Sequence, residues 1–287
     1  MSEEQVTSVA PTHHKYNTYR LHDKVAVITG GTMGIGLAVA ERLGQEGCKL
    51  VVSSRRQTNV DKAVQTLIQS GIPAENVTGC VCHVGNATHR RALVDFTVKT
   101  FKRIDILFHN AGVNPAMGHI LEVSGPMFDK ILDTNITSAF FLTKLAVPHM
   151  PPGSSVIFNS TVSAYFTTKG ILTYGAVKSA LITLTSSLSR ELANRGIRVN
   201  CVAPATTRTK MAGVLYREDH EKHDVVHNEK VWLLPRIAEP EEVAGGVAYL
   251  ASDDASFVSG NHSFVNLINS SFTGETHLIV GGVDCRL

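Results

Sequence analysis

Seven short apolar runs punctuate the chain: KVAVIT (24–29), KLVVSS (49–54), VTGCVC (77–82), IDILFH (104–109), SVIFNS (155–160), IRVNCV (197–202) and HLIVGG (277–282). Each has strand length, and segments with helical spacing of apolar positions lie between them. Near-continuous apolar runs mark strands covered on both faces. The alternation predicts an α/β fold, a single Rossmann-type doubly wound domain with a seven-stranded parallel sheet. Right-handed crossovers then carry Gly30, Asn110, Thr161 and Pro204 to one rim, at the carboxyl ends of the strands where ligands bind in such sheets.

The 287 residues, 43% of them hydrophobic, suffice for one large core and leave no room for a second domain. The domain is expected over 21–287, after an N-terminal extension, 1–20, outside the fold. A net charge of +2 provides no stripe for a polyanion, so nucleic acid is excluded as a partner. No apolar run approaches the ~18 residues of a membrane span. The first twenty residues lack the apolar stretch of a secretory signal, and Glu3 and Glu4 speak against a mitochondrial one. Five cysteines, mostly within apolar patterns, suggest reduced thiols, with Cys80 and Cys82 in the core and not on a metal.

Two motifs carry chemistry. Tyr174 and Lys178 stand four apart in a helical pattern and so share a face. A phenol titrates near pH 10, and an ammonium one turn away favours its anion, which moves it toward acid–base work at neutral pH. Upstream, the strand pattern KVAVIT runs into Gly30-Gly31-Thr32-Met33-Gly34-Ile35-Gly36 and then a helical pattern. That order aims backbone N–H groups and a helix N-terminus at a pyrophosphate. At the end of the second strand stand Ser54, Arg55 and Arg56, with no acid until Asp61. An acid there binds a ribose 2′-hydroxyl, whereas arginine accepts a 2′-phosphate, so NADP(H) is the expected cofactor.

With TGGTMGIG (29–36), HNAG (109–112), Asn135 in DTNITS, NSTVS (159–163) before Tyr174 and Lys178, and VNCVAP (199–204) in this order, the chain resembles the short-chain dehydrogenase/reductase family from about Leu21 onward. VVSSRRQTNVDKAV, CHVG, NAGVNP and the ending Cys285-Arg286-Leu287 are similar to its peroxisomal carbonyl and retinal reductases. The resemblance implies a catalytic set of Asn135, Thr161, Tyr174 and Lys178, with Tyr174 as general acid in carbonyl reduction. Thr161 stands thirteen residues before Tyr174, where the family usually has serine; strand alternation turns Ser160 away, and Ser163 is the reserve. The cofactor would also meet His83, Val84, Ala111, Gly112, Thr207 and Thr209. A lid over 205–239 would offer Met211, Val214, Leu215, Tyr216 and Trp232 to substrate. His220, His223 and His227 in it lack the carboxylate or cysteine company of a metal site.

His109 replaces the family's more usual asparagine, and Ala205 a common glycine. Removing Val258 to Ser271 restores the family's compact approach to a last strand at HLIVGG, so 258–271 reads as an insertion, with an unspliced short intron as its source. The implied function is NADPH-dependent reduction of aromatic ketones, α-dicarbonyls or retinal, a small-molecule carbonyl to its alcohol, by a homo-oligomer, a tetramer in particular. The ending implies an import receptor as partner and peroxisomal localisation, with the cytoplasm otherwise. The alternative is a cofactor-binding, catalytically weak member acting through oligomer contacts. A sugar-nucleotide epimerase shares Tyr-x-x-x-Lys but needs a larger C-terminal region than this chain has.

Overall fold

The computed structural model describes residues 19–116, 118–165, 170–215 and 236–265. The chain runs β1 (Val25–Thr29), α1 (Gly34–Gln45), β2 (Lys49–Ser54), α2 (Gln57–Gln69), β3 (Val77–Val81), α3 (Ala87–Phe101), β4 (Ile106–His109), α4 (Gly125–Leu132), α5 (Ser138–Ala146), β5 (Ser155–Asn159), α6 (Leu172–Leu192), β6 (Arg198–Pro204), α7 (Pro240–Ala251) and β7 (His262–Val265). The seven strands form one parallel sheet in the order β3-β2-β1-β4-β5-β6-β7. The order reverses between β1 and β4, which opens a crevice at the rim beyond Thr29 and His109.

Alternation along each strand divides the core. Ile28, Val52, Phe108, Ile157 and Val202 pack on one face against Val39 and Leu43 of α1 and Val243 and Val247 of α7. Their neighbours Val27, Val51, Leu107, Phe158 and Cys201 pack on the other face against Leu93 of α3, Leu142 of α5 and Leu181 of α6. Helix starts follow local chemistry. Asn86 caps α3 by accepting from His89 N at 3.1 Å, and α7 opens with Pro240 behind a reciprocal Glu239–Glu242 capping box. No helix among the described residues is long and apolar enough to cross a membrane. Cys48, Cys82 and Cys201 are buried free thiols, and burial pushes Cys201 up to about 12.

Two boundaries differ from the sequence reading. The extension was expected to reach Arg20, but Arg20 is bound to the fold by ion pairs of 2.7 Å to Glu46 and to Asp254, and Leu21 is fully buried. Those carboxylates lie at the end of α1 and beyond α7, too far along the chain to be seen as partners. Residues 1–18 lie outside the described residues. The last strand was expected at 277–282, yet β7 is His262–Val265, within 258–271. Val258 is buried, Ser259 Oγ accepts from Val199 N at 3.2 Å, and Gly260 N donates to Val199 O at 2.7 Å. These bonds satisfy the backbone beside β6 as soon as α7 has ended, fourteen residues before the equivalent Thr273-Gly274 pair. Residues 266–287, HLIVGG among them, lie outside the described residues.

Candidate active site

The rim is built from the glycine turn upward. β1 ends at Thr29, whose hydroxyl accepts from Asn110 N at 3.0 Å and Ala111 N at 3.1 Å. Asn110 returns the contact: its Nδ2 donates to Thr29 O at 3.1 Å and Gly30 O at 3.0 Å. Gly36, on the first turn of α1, packs so closely that an added Cβ would overlap Gly30 O and Asn110 Nδ2. Only glycine closes helix onto turn at that distance. The N-cap, Met33, supplies no side-chain hydrogen bond, and the first turn of α1 carries no acid. Its N–H groups and the positive end of the helix are therefore available to an anion, which fits a dinucleotide pyrophosphate.

The other expected cofactor residues gather around this turn. Gly31 N donates to Ser53 O at 3.1 Å, which brings the end of β2 and the exposed Arg55 and Arg56 beside it. Cys82 N donates to Ser54 O at 2.9 Å, so His83 follows on the same edge, exposed, while Val84 places its side chain in the core. Thr209 approaches from beyond β6: a Cβ on Gly34 would lie 3.0 Å from its methyl. Thr207 bridges to Ala238, Arg208 N donates to Ala238 O at 2.8 Å, and Arg208 pairs with Glu239 at 2.8 Å. The two ends of the expected lid are thereby stapled together, a feature that a reading of its polar sequence does not reveal. Met211 is exposed, Leu215 ends a 3₁₀ turn, and Trp232, Tyr216 and the three histidines lie outside the described residues.

The acid–base group lies across the crevice on α6. Ser160 Oγ is buried and donates to Lys178 O at 3.0 Å, so its hydroxyl proton is committed to the backbone of α6. Thr161 accepts from Ser163 N at 3.2 Å, capping a 3₁₀ turn over Val162–Ala164. That bond uses a lone pair and leaves the Thr161 proton to give away. A Cβ on Gly175 would overlap Ser163 O, so glycine beside Tyr174 is what lets this turn reach the first turn of α6.

Lys178 is 3% exposed, and its Nζ donates to Asn159 O at 2.6 Å. The expected tuning of phenol by ammonium takes a different form here. Nζ stands 5.7 Å from the centroid of the Tyr174 ring, over its face, and burial alone moves the phenol, upward. Burial also pushes Lys178 down to about 8. Desolvation thus outweighs the single charge and holds both groups toward their neutral forms.

Asn135 sits in a π-helical turn, Asp133–Thr137, that widens the junction of α4 and α5. Its Nδ2 donates to Ile131 O at 2.8 Å and Val113 O at 2.9 Å, while Oδ1 accepts from Val113 N at 3.3 Å. It clamps the segment after β4 and does not contact Lys178. Gly112 separates the two: a Cβ there would lie 2.6 Å from Asn135 Oδ1 and 3.5 Å from Nζ. His109 stacks on Phe158 with centroids 4.8 Å apart and meets Thr143 Oγ1 at 2.8 Å; burial, with the Lys178 charge, holds it down to about 3. Thr143 donates its proton to Ala139 O at 2.9 Å, so His109 is the donor through Nε2 and stays neutral at working pH.

Known proteins are similar to this chain in sequence and in fold. The family model described as "Enoyl-(Acyl carrier protein) reductase" matches residues 30–267. The chain is 41% identical to dehydrogenase/reductase SDR family member 4 of Caenorhabditis elegans, over 94% of this chain and 99% of that protein. It is 42% identical to the protein of that name from Homo sapiens, over 93% and 90%. Tropinone reductase-like 3 of Erythroxylum coca is 39% identical, over 93% and 96%. Among solved structures, a glucose/ribitol dehydrogenase of the short-chain family from Brucella melitensis superposes with a TM-score of 0.79 at 28% identity, covering 87% of this chain and 97% of that one. With the motifs standing on the rim of the same fold, the chain belongs to the short-chain dehydrogenase/reductase family of oxidoreductases, which bind NAD(P)(H).

Proposed function

We propose that this oxidoreductase uses NADPH to reduce ketones and aldehydes to alcohols, with Tyr174 as general acid. The observation that carries the reading is the union, on one rim, of an uncapped helix leaving a glycine turn and a half-buried Tyr174 beside the buried Lys178. When bound, reduced nicotinamide supplies hydride to the carbonyl carbon. Tyr174 gives its hydroxyl proton to the carbonyl oxygen, so C=O becomes CH–OH. Burial keeps Tyr174 protonated, the state this role requires. Thr161 donates to the same oxygen and polarises the bond. In this reading Lys178 holds the nicotinamide ribose, and Asn135 holds a water that links Lys178 to solvent. The substrates of this reading are aromatic ketones, α-dicarbonyls or retinal, with Met211, Leu215 and Trp232 as the apolar contacts that the family resemblance implies.

Arg55 and Arg56 support the choice of NADP(H). Arg55→Asp replaces a charge-assisted bond to the 2′-phosphate by repulsion, and is expected to shift the preference toward NADH by about tenfold or more. Comparison of kcat/KM for the two cofactors measures it; a native protein that already prefers NADH overturns the assignment.

Phe140 and Phe141, both about two-fifths exposed on α5, stand beside Leu184 of α6 and form an apolar patch. The patch supports a homo-oligomer, tetrameric by our reading, and light scattering would show a monomer if this is wrong. It is also what favours the second reading, a weak catalyst acting through such contacts; turnover of a ketone panel with NADPH separates the two. Cys285-Arg286-Leu287 supports peroxisomal import. A fluorescent protein fused ahead of the intact chain is expected in peroxisomal puncta and dispersed after loss of these three residues; diffuse signal from the intact tail assigns the cytoplasm instead. That 258–271 is an insertion with an unspliced short intron as its source stands as a proposal: a mature transcript lacking these codons supports it, and one containing them removes the intron.

A further inference from the structure

Asn159, the last residue of β5, holds together the two halves of the rim. Its carbonyl takes the Lys178 ammonium at 2.6 Å, and its Nδ2 donates to Asn110 Oδ1 at 3.0 Å. The orientation of both amides is dictated, because Asn110 Nδ2 is committed to Thr29 O and Gly30 O and only its oxygen remains for Asn159. Asn159 Oδ1 is consequently turned away from Asn110. It is buried and has no hydrogen-bond partner among the described residues, on a residue only 8% exposed. An apolar side chain would fill the end of β5 without that cost, since an unmet buried acceptor is unfavourable.

We propose that Asn159 is a further cofactor-binding residue whose Oδ1 accepts a hydrogen bond from a donor on the nicotinamide half of the dinucleotide. Its neighbours place it there. The residue lies between the turn that takes the pyrophosphate and the lysine expected on the nicotinamide ribose. Asn159 Oδ1, an acceptor only, requires a hydroxyl or an amide N–H, and the nicotinamide half offers both on its ribose and carboxamide. The inference rests on the dinucleotide reading of the crevice but not on the choice between NADPH and NADH.

The test compares Asn159→Val with Asn159→Thr, two branched side chains of similar shape of which only threonine can accept. Dissociation constants are measured by fluorescence titration for the reduced cofactor the native protein prefers and for its adenine half alone, 2′,5′-ADP or ADP. Asn159→Val is expected to weaken the whole cofactor about tenfold and the adenine half less than twofold, and Asn159→Thr to recover most of the loss. Equal weakening of both ligands would show that Asn159 acts only by orienting Asn110, and unchanged affinity would show that Oδ1 meets nothing; either overturns the proposal. Thermal melting of each variant checks folding, and if the valine variant does not fold, the threonine variant against the native protein carries the comparison, with a selective loss above threefold counting against rescue and overturning the acceptor role. A native protein that binds neither dinucleotide refutes the reading of the crevice instead, which keeps the two failures apart.

Discussion

Tyr174→Phe is expected to lower kcat for ketone reduction by about 10²- to 10⁴-fold, the range a positioned general acid contributes, with NADPH affinity changed less than about twofold. The ring is half-buried on the first turn of α6, and phenylalanine keeps its volume while losing the transferable proton. Only a group active in the transition state produces that split. Steady-state oxidation of NADPH with an aromatic ketone measures the rate, and titration of cofactor fluorescence measures the affinity. A variant that keeps native turnover would show that another donor protonates the alkoxide. Thr161 serves as internal control: Thr161→Ser should retain the rate, and Thr161→Val, which keeps the shape, should lose most of it. Equal rates for Val and Thr would pass the polarising role to Ser163.

Lys178→Met is expected to have opposite effects on activity and stability. Activity should fall by a factor of about 10² or more with loss of the ribose contact. Stability should rise at neutral pH. Burial lowers Lys178 from 10.5 to about 8, so the unfolded chain binds its proton more tightly. Across that interval the unfolded state holds more protons, and stability rises with pH; below about 8 the penalty is complete. The interval corresponds to about 3 kcal/mol, less about 1 kcal/mol for the bond to Asn159 O that methionine cannot make. The variant should therefore melt higher than the native protein at pH 7, and the difference should shrink through pH 8 to 10.5. Taking the difference removes the loss of stability that the desolvated Tyr174 phenol and the buried thiols produce at high pH in both proteins. A difference independent of pH would mean that Lys178 is not the group being desolvated.

Much of this was legible in the chain because it depends on near neighbours. Strand-length apolar runs, the glycine turn and the spacing of Tyr174 to Lys178 are periodicities of a few residues, and they led to the sheet, its rim and the shared helix face. What the sequence by itself determined is thus the parallel α/β fold and which chemical groups reach the rim. Tertiary structure alone decided how those groups are held, because burial and long-range partners are set by residues distant along the chain. It placed the Lys178 ammonium over the Tyr174 ring and on Asn159 O, where desolvation exceeds one ammonium's pull on the phenol. It put Asn135 on Val113 and Ile131, and His109 on Phe158 and Thr143. It also built β7 from His262–Val265, after Ser259 and Gly260 have met the backbone of Val199. Hydrogen-bond satisfaction at the end of β6 is a property of the folded neighbourhood, and no apolar pattern reports it.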